Sequence, residues 1–114
     1  MQQKTIATID TDTYGSLSTL RCPSCGESYL HQGTIEVYNR REDADTVRCV
    51  IVDGSSVFSE QIPSEHSNNP SDRRQGCIIH FDCEHCPNID FKLTIAQHKG
   101  NTLLEWVYED GENS

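Results

Sequence analysis

Hydrophobic positions along this chain recur at every second residue far more often than at every third or fourth. Ile89, Phe91, Leu93 and Ile95 alternate with Asp90, Lys92, Thr94 and Ala96, a period of two that gives a strand one dry and one wet face. The same pattern places strands at Leu17–Cys22, Tyr29–Asn39, Thr46–Asp53, Cys77–Cys83, Ile89–His98 and Thr102–Glu109, where β-branched and aromatic residues gather between turn formers. No stretch carries a convincing 3.6-residue period, so little helix is expected. The fold class predicted is mostly β, a small antiparallel sheet.

The last two strands read as a hairpin closed by Gly100-Asn101, with Gly in the first central position. That turn sets Ile95 opposite Trp106, Leu93 opposite Tyr108 and Lys92 opposite Glu109. A one-residue slip would turn Trp106 to water, so the register is well specified. Two polar stretches interrupt the strands. Arg40–Asp45 is a mixed charged turn, and 55–75, with Pro63, Pro70, Asn68-Asn69 and Arg73-Arg74, reads as a long loop. Residues 1–15 are expected to be a loosely attached edge strand or a flexible segment, 16–109 a single domain, and 110–114 a disordered tail.

Composition narrows the picture. The chain has 114 residues, of which 34% are hydrophobic, enough for one domain with a thin core. No apolar run approaches the roughly 20 residues that span a bilayer, and the N-terminal stretch lacks the apolar core of a signal peptide. A cytoplasmic protein is expected. Nine basic residues stand against 18 acidic ones, for a net charge of -9, which argues against general nucleic-acid binding, since that needs Lys and Arg to displace phosphate counterions.

The cysteines specify a chemistry. Cys22-Pro-Ser-Cys25-Gly26 and Cys83-Glu-His-Cys86 are two Cys-x-x-Cys pairs. Two residues between cysteines let one tight turn aim both sulfurs at a point, and two such turns make a tetrahedral four-sulfur site suited to one structural Zn2+. Gly26 fits the reversal just after the second ligand. The pairs are separated by 57 residues, against about 15–20 in a short ribbon. Closing the longer loop adds only about 1 kcal/mol, whereas structural zinc contributes on the order of 10–16 kcal/mol in small peptides. A disulfide framework lacks an export signal, and a redox pair lacks the helix that would lower a thiol pKa; iron fits the same four-thiolate cage. His80 and His85 lie close enough in sequence to replace a thiolate, but read better as a strand residue and a knuckle tip. Cys49 and Cys77 sit in apolar strand patterns and read as small core hydrophobes. The expected architecture is thus zinc-ribbon-like, with a long insertion between the knuckles.

A resemblance is carried by Leu20-Arg-Cys-Pro-Ser-Cys-Gly26 with Tyr29-Leu-His31, by Ile35-Glu-Val37 and Arg41-Glu-Asp43, by Asn69-Pro-Ser-Asp-Arg-Arg-Gln-Gly76, by Ile79-His-Phe-Asp-Cys-Glu-His-Cys86, and by Ile95-Ala-Gln-His-Lys-Gly-Asn-Thr102. Over most of residues 20–108 the chain resembles small zinc-ribbon-type proteins of high-GC Gram-positive bacteria and their phages and mobile elements. The resemblance implies a compact metal-binding domain without an established activity, and it supplies no catalytic residues.

Four thiolates close a metal site to water, and no phosphate loop, dinucleotide fingerprint or Gly-x-Ser-x-Gly elbow occurs. No catalytic residues and no small-molecule substrate are therefore expected, and the sequence reads as a binding module whose partner is a protein. Asn69, Asp72, Arg73 and Arg74 are the candidate contact residues, because two adjacent guanidiniums on a Pro-stiffened turn suit a phosphate or carboxylate. The alternative at that turn is that Asp72 neutralises one arginine and the loop is simply solvated. The acidic balance suggests a phage or mobile-element inhibitor that imitates DNA before a host nucleic-acid enzyme. A nucleic-acid-binding ribbon using Tyr29, Tyr38, Phe58 and Tyr108 is a further alternative, held back by the sparse basic clusters.

Overall fold

Alternation along the chain resolves into nine strands: β1 (Gln2–Thr5), β2 (Ile9–Tyr14), β3 (Leu17–Leu20), β4 (Leu30–Asn39), β5 (Thr46–Asp53), β6 (Ser56–Pro63), β7 (Gly76–Cys83), β8 (Cys86–His98) and β9 (Asn101–Glu109). They come from a computed structural model that describes residues 2–7, 9–14 and 17–109, the side chains of 9–14 excepted. One turn of 3-10 helix, Ser64–His66, is the sole helical segment among the described residues. Seven strands form one antiparallel sheet in the order β1-β9-β8-β7-β4-β5-β6, and β2 pairs with β3 in a separate ribbon.

Directly opposed residues share a face of an antiparallel sheet, so the register sorts the side chains. On one face a row runs Val57, Val52, Ile35, Ile79, Leu93, Trp106, with Val50, Val37, Cys77, Ile95 and Leu104 beside it. On the far face lie Val47, Cys49, Tyr38, Ile78, His80 and Lys92. Each face has its own small core. Cys22, Cys83, Phe91, Leu93 and Trp106 form the first, with Phe81 and Phe91 edge-on to Trp106 at ring distances of 5.6 and 6.3 Å. Tyr38, Val47, Cys49 and Ile78 form the second. The first face is covered only at its Trp106 end. Toward β5 and β6 it stays open, with Val37, Val52 and Val57 at 40%, 38% and 70% exposure.

Several sequence expectations can be set against these strands. Strand β6 occupies Ser56–Pro63, inside the stretch expected to be loop, and pairs with β5 along its whole length. Within residues 1–15, β1 is an edge strand on β9 and β2 belongs to the ribbon. The tail at 110–114 lies outside the described residues. The final hairpin turns at Lys99-Gly100, one residue earlier than expected, because both adopt positive φ, 51° and 82°, as a type I′ turn requires. The pairing therefore shifts by two, to Leu93 opposite Trp106, Ile95 opposite Leu104 and Lys92 opposite Val107. A shift of two preserves parity, so Trp106 still faces the core.

The connection from β6 to β7 is tied down. Ser71 is buried; its hydroxyl donates to the Gln97 carbonyl at 2.8 Å and accepts from the Arg74 amide at 3.0 Å. Asn69 and Pro70 rest on Gly76 so closely that a Cβ there would overlap Asn69 Oδ1 and stand 2.7 Å from Pro70 Cδ. Gly76→Ala should therefore cost about 1–3 kcal/mol by overpacking, measured by urea unfolding; a neutral result would mean that the loop yields without resistance.

A polar chain crosses three strands on the far face. His80 on β7 donates from Nε2 to Glu36 on β4 at 2.5 Å and from Nδ1 to Asp90 on β8 at 3.0 Å, while Tyr38 donates to the other Glu36 oxygen at 2.5 Å. Lys92 stands directly opposite His80. Burial alone would lower the His80 pKa, but the Glu36 and Asp90 hydrogen bonds outweigh it and raise the value above 6.5. A raised folded pKa stabilises fully below the unfolded value and is lost as pH climbs through the folded one. His80→Gln should thus cost about 1–2 kcal/mol near pH 6 and distinctly less near pH 9, in denaturant unfolding of the metal-loaded protein. Equal losses at both pH values would remove the imidazolium from the account.

Candidate metal centre

The first knuckle follows β3. The Cys22 amide donates to the Glu27 carbonyl at 2.8 Å, and the Gly26 amide donates back to the Cys22 carbonyl at 3.0 Å. Gly26 takes φ +79°, a conformation that costs any residue with a Cβ and explains the glycine after Cys25. The second knuckle is a hairpin turn: Glu84-His85 joins β7 to β8, with Cys83 opposite Cys86.

Backbone pairing, and not the metal alone, brings the knuckles together. The chain leaving Cys25 enters β4, which pairs with β7 so that Leu30 opposes Cys83. The Glu84 amide donates to the Tyr29 carbonyl at 3.1 Å. Tyr29 lies against the His85 ring at 5.0 Å, and His31 Nε2 meets the Glu84 carboxylate at 2.5 Å. Sequence reasoning missed these clamps, which become visible only once β4 and β7 are known to be neighbours.

The four sulfurs of Cys22, Cys25, Cys83 and Cys86 all lie within 4.8 Å of one another. Cys22 and Cys86 are 3.9 Å apart, Cys25 and Cys83 3.6 Å. A metal bound at about 2.3 Å from each of four sulfurs requires tetrahedral edges of about 3.8 Å, whereas a disulfide bond is about 2.05 Å. All six cysteines are free thiols. The arrangement is a site ready to hold one metal ion, and a four-sulfur tetrahedron leaves no position for an activated water.

Cys22 and Cys83 are buried beside Trp106, while Cys25 reaches the surface. Burial pushes the Cys22, Cys83 and Cys86 thiols up. At Cys25 burial also raises the value, but the Glu27 amide and the neighbouring sulfurs outweigh it and bring the thiol down. Since a metal takes thiolates, loading must displace thiol protons, and affinity falls in acid.

Neither nearby histidine belongs to the cluster: His85 lies tilted against the Tyr29 ring, and His80 is on the far face between its two carboxylates. Cys49 is buried in the far-face core, and Cys77 is half-buried beside Val37 and Ile95. Both thiols are raised by burial.

The candidate contact residues form the opposite end of the molecule. Arg73 grips Asp43 with two hydrogen bonds, Nε at 2.9 Å and Nη2 at 2.7 Å, and reaches Glu42 at 3.2 Å. Arg74 meets Glu42 at 2.6 Å. The Arg73 hydrogen bond holds the Asp43 carboxyl below its ordinary value. The neutralising acids are thus Glu42 and Asp43 from the β4–β5 turn, not Asp72, whose carbonyl accepts from Arg40 at 2.6 Å. Asn69 donates to the Arg74 carbonyl at 2.8 Å and shapes the loop from within.

Among known proteins, no family, no curated protein and no solved structure matches this chain.

Trp106 is the single tryptophan and packs in the same cluster as Cys22 and Cys83, so it reports on the centre. Stripping the metal with a chelator should red-shift its emission and collapse the β circular dichroism. An apo form with the same spectra as the loaded form would show that the metal is dispensable to the fold.

Proposed function

We propose that the chain is a zinc-stabilised, non-enzymatic binding module that works by holding another macromolecule, a protein in the first instance. The observation that carries this is the closed four-cysteine centre: its sulfurs are spaced for a tetrahedral ion, and none of its positions is left for substrate. Zinc is the natural occupant of two Cys-x-x-Cys knuckles, and it brings no redox chemistry. Metal analysis is expected to give one zinc per chain; iron instead would colour the protein and overturn the assignment.

A protein partner is favoured over nucleic acid by two features. The β4-β5 end of one sheet face presents Val37 and Val52 to solvent, a surface of the kind that marks protein contacts. The adjacent guanidiniums of Arg73 and Arg74 are already engaged by Glu42 and Asp43, leaving little for phosphate. A second reading is supported by the net charge of -9: the partner is a basic surface, such as the nucleic-acid channel of an enzyme, which an acidic inhibitor encoded by a phage or mobile element would occupy.

A tagged pull-down with and without nuclease, followed by variants, separates these. Capture of one protein regardless of nuclease is expected, weakened about tenfold or more by Val37→Glu with Val52→Glu, with zinc content unchanged. Loss on Arg73→Ala with Arg74→Ala would move the contact to the Asn69–Arg74 turn. A steep fall in affinity between low and moderate salt would favour the acidic mimic, and capture abolished by nuclease would overturn the protein-binding reading.

A further inference from the structure

The seven-stranded sheet ends in two unlike edges. β1 is four residues long and carries Lys4, both devices that blunt an edge against pairing. β6 is eight residues long, pairs on one side with β5 and, among the described residues, has no strand on the other. Seven of its eight residues are exposed, with Val57 at 70% and Phe58 at 49%. Glu60 is its single charge, and Pro63, which has no N–H to donate, comes only at its end. This is a long, weakly charged row of unpaired backbone donors and acceptors, without the usual protection.

We propose that β6 pairs antiparallel with β6 of a second copy of this chain, joining two sheets into one. Three considerations select a second copy as the occupant. Pairing of β6 with β1 of another copy would be head-to-tail and open-ended, and β1 is half the length and guarded by Lys4. Pairing of β6 with itself closes after two copies and, centred on Phe58, matches Ser56–Glu60 of one strand with the same five residues of the other. A two-fold axis normal to the sheet through Phe58 also keeps each face on its own side. It sets Phe58 against Phe58 of the other copy, Val57 against Ser59, and Ser56 against Glu60. The two Glu60 carboxylates then do not meet, and the aromatic pair continues the apolar row from Ile51, which opposes Phe58 on β5. A strand contact of this length is small beside the roughly 1,600 Å² of a standard interface, so the dimer forms in the micromolar range and the net charge of -9 on each copy opposes it.

Sedimentation equilibrium on the zinc-loaded protein, from about 1 to 500 µM and at low and about 0.5 M salt, tests this. A reversible monomer–dimer equilibrium that tightens with salt is expected, with hydrogen exchange slowed in β6 at high concentration. Phe58→Lys places like charges face to face and should weaken the dimer about tenfold or more, while Trp106 emission stays native. A parent protein monomeric across the whole range overturns the proposal and leaves the edge to an extended segment of some other protein. A dimer unaffected by Phe58→Lys, or one without added β6 protection, places the contact elsewhere and overturns it as well.

Discussion

Everything in this molecule is arranged around one closure: two pairs of sulfurs, 57 residues apart in the chain, meeting at the end of a single sheet. The closure is enforced twice. The β4–β7 ladder and the Tyr29–Glu84 hydrogen bond deliver the second knuckle to the first, and the four sulfurs so aligned could hold a metal that locks them. Because the ladder defines the geometry, the sulfur spacing already matches a tetrahedron.

The closure matters because the sheet is poorly covered. A seven-stranded sheet with no helix layered on it among the described residues must find its core on two faces separately, and each face collects four or five buried hydrophobic residues among those described. The radius of gyration, 15.1 Å, exceeds the roughly 13 Å of a fully compact chain this long. Polar links make up part of the shortfall. The Asp90–His80–Glu36–Tyr38 chain stitches β8, β7 and β4 together, and the Arg73–Asp43 and Arg74–Glu42 pairs fasten the loops at the end remote from the cysteines.

Much of this was legible in the residues, and the failures have physical causes. The spacing of Cys22, Cys25, Cys83 and Cys86 identified the cluster because a knuckle is a local structure, set by two intervening residues. Strand β5 was found at its true limits because the apolar run Cys49-Val50-Ile51-Val52, preceded by Val47, is bounded by the charged Arg40–Asp45 turn and by Asp53-Gly54. Strand β6 was missed because an edge strand has no buried face to impose alternation: Val57 and Phe58 are adjacent, and serines and a proline surround them. The last hairpin was placed one residue late because Lys99, not Asn101, adopts the left-handed conformation, and a lysine gives no signal of that. The clamps Tyr29–His85 and His31–Glu84 depend on which strands become neighbours, information that no local pattern holds.

The wide separation of the knuckles also imposes an order on biosynthesis. Cys22 and Cys25 leave the ribosome as a two-sulfur half-site, and the remaining ligands follow only when Cys83 and Cys86 are made. At about 5–20 residues per second that interval is roughly 3–12 s. During it β4, β5 and β6 exist without β7 or β8 beside them, so the nascent sheet exposes its valine rows and an ion held by two thiolates is easily exchanged. The step that completes the metal site is therefore the same step that zips β7 onto β4, and this part of the chain commits to its fold only once its second knuckle has been made.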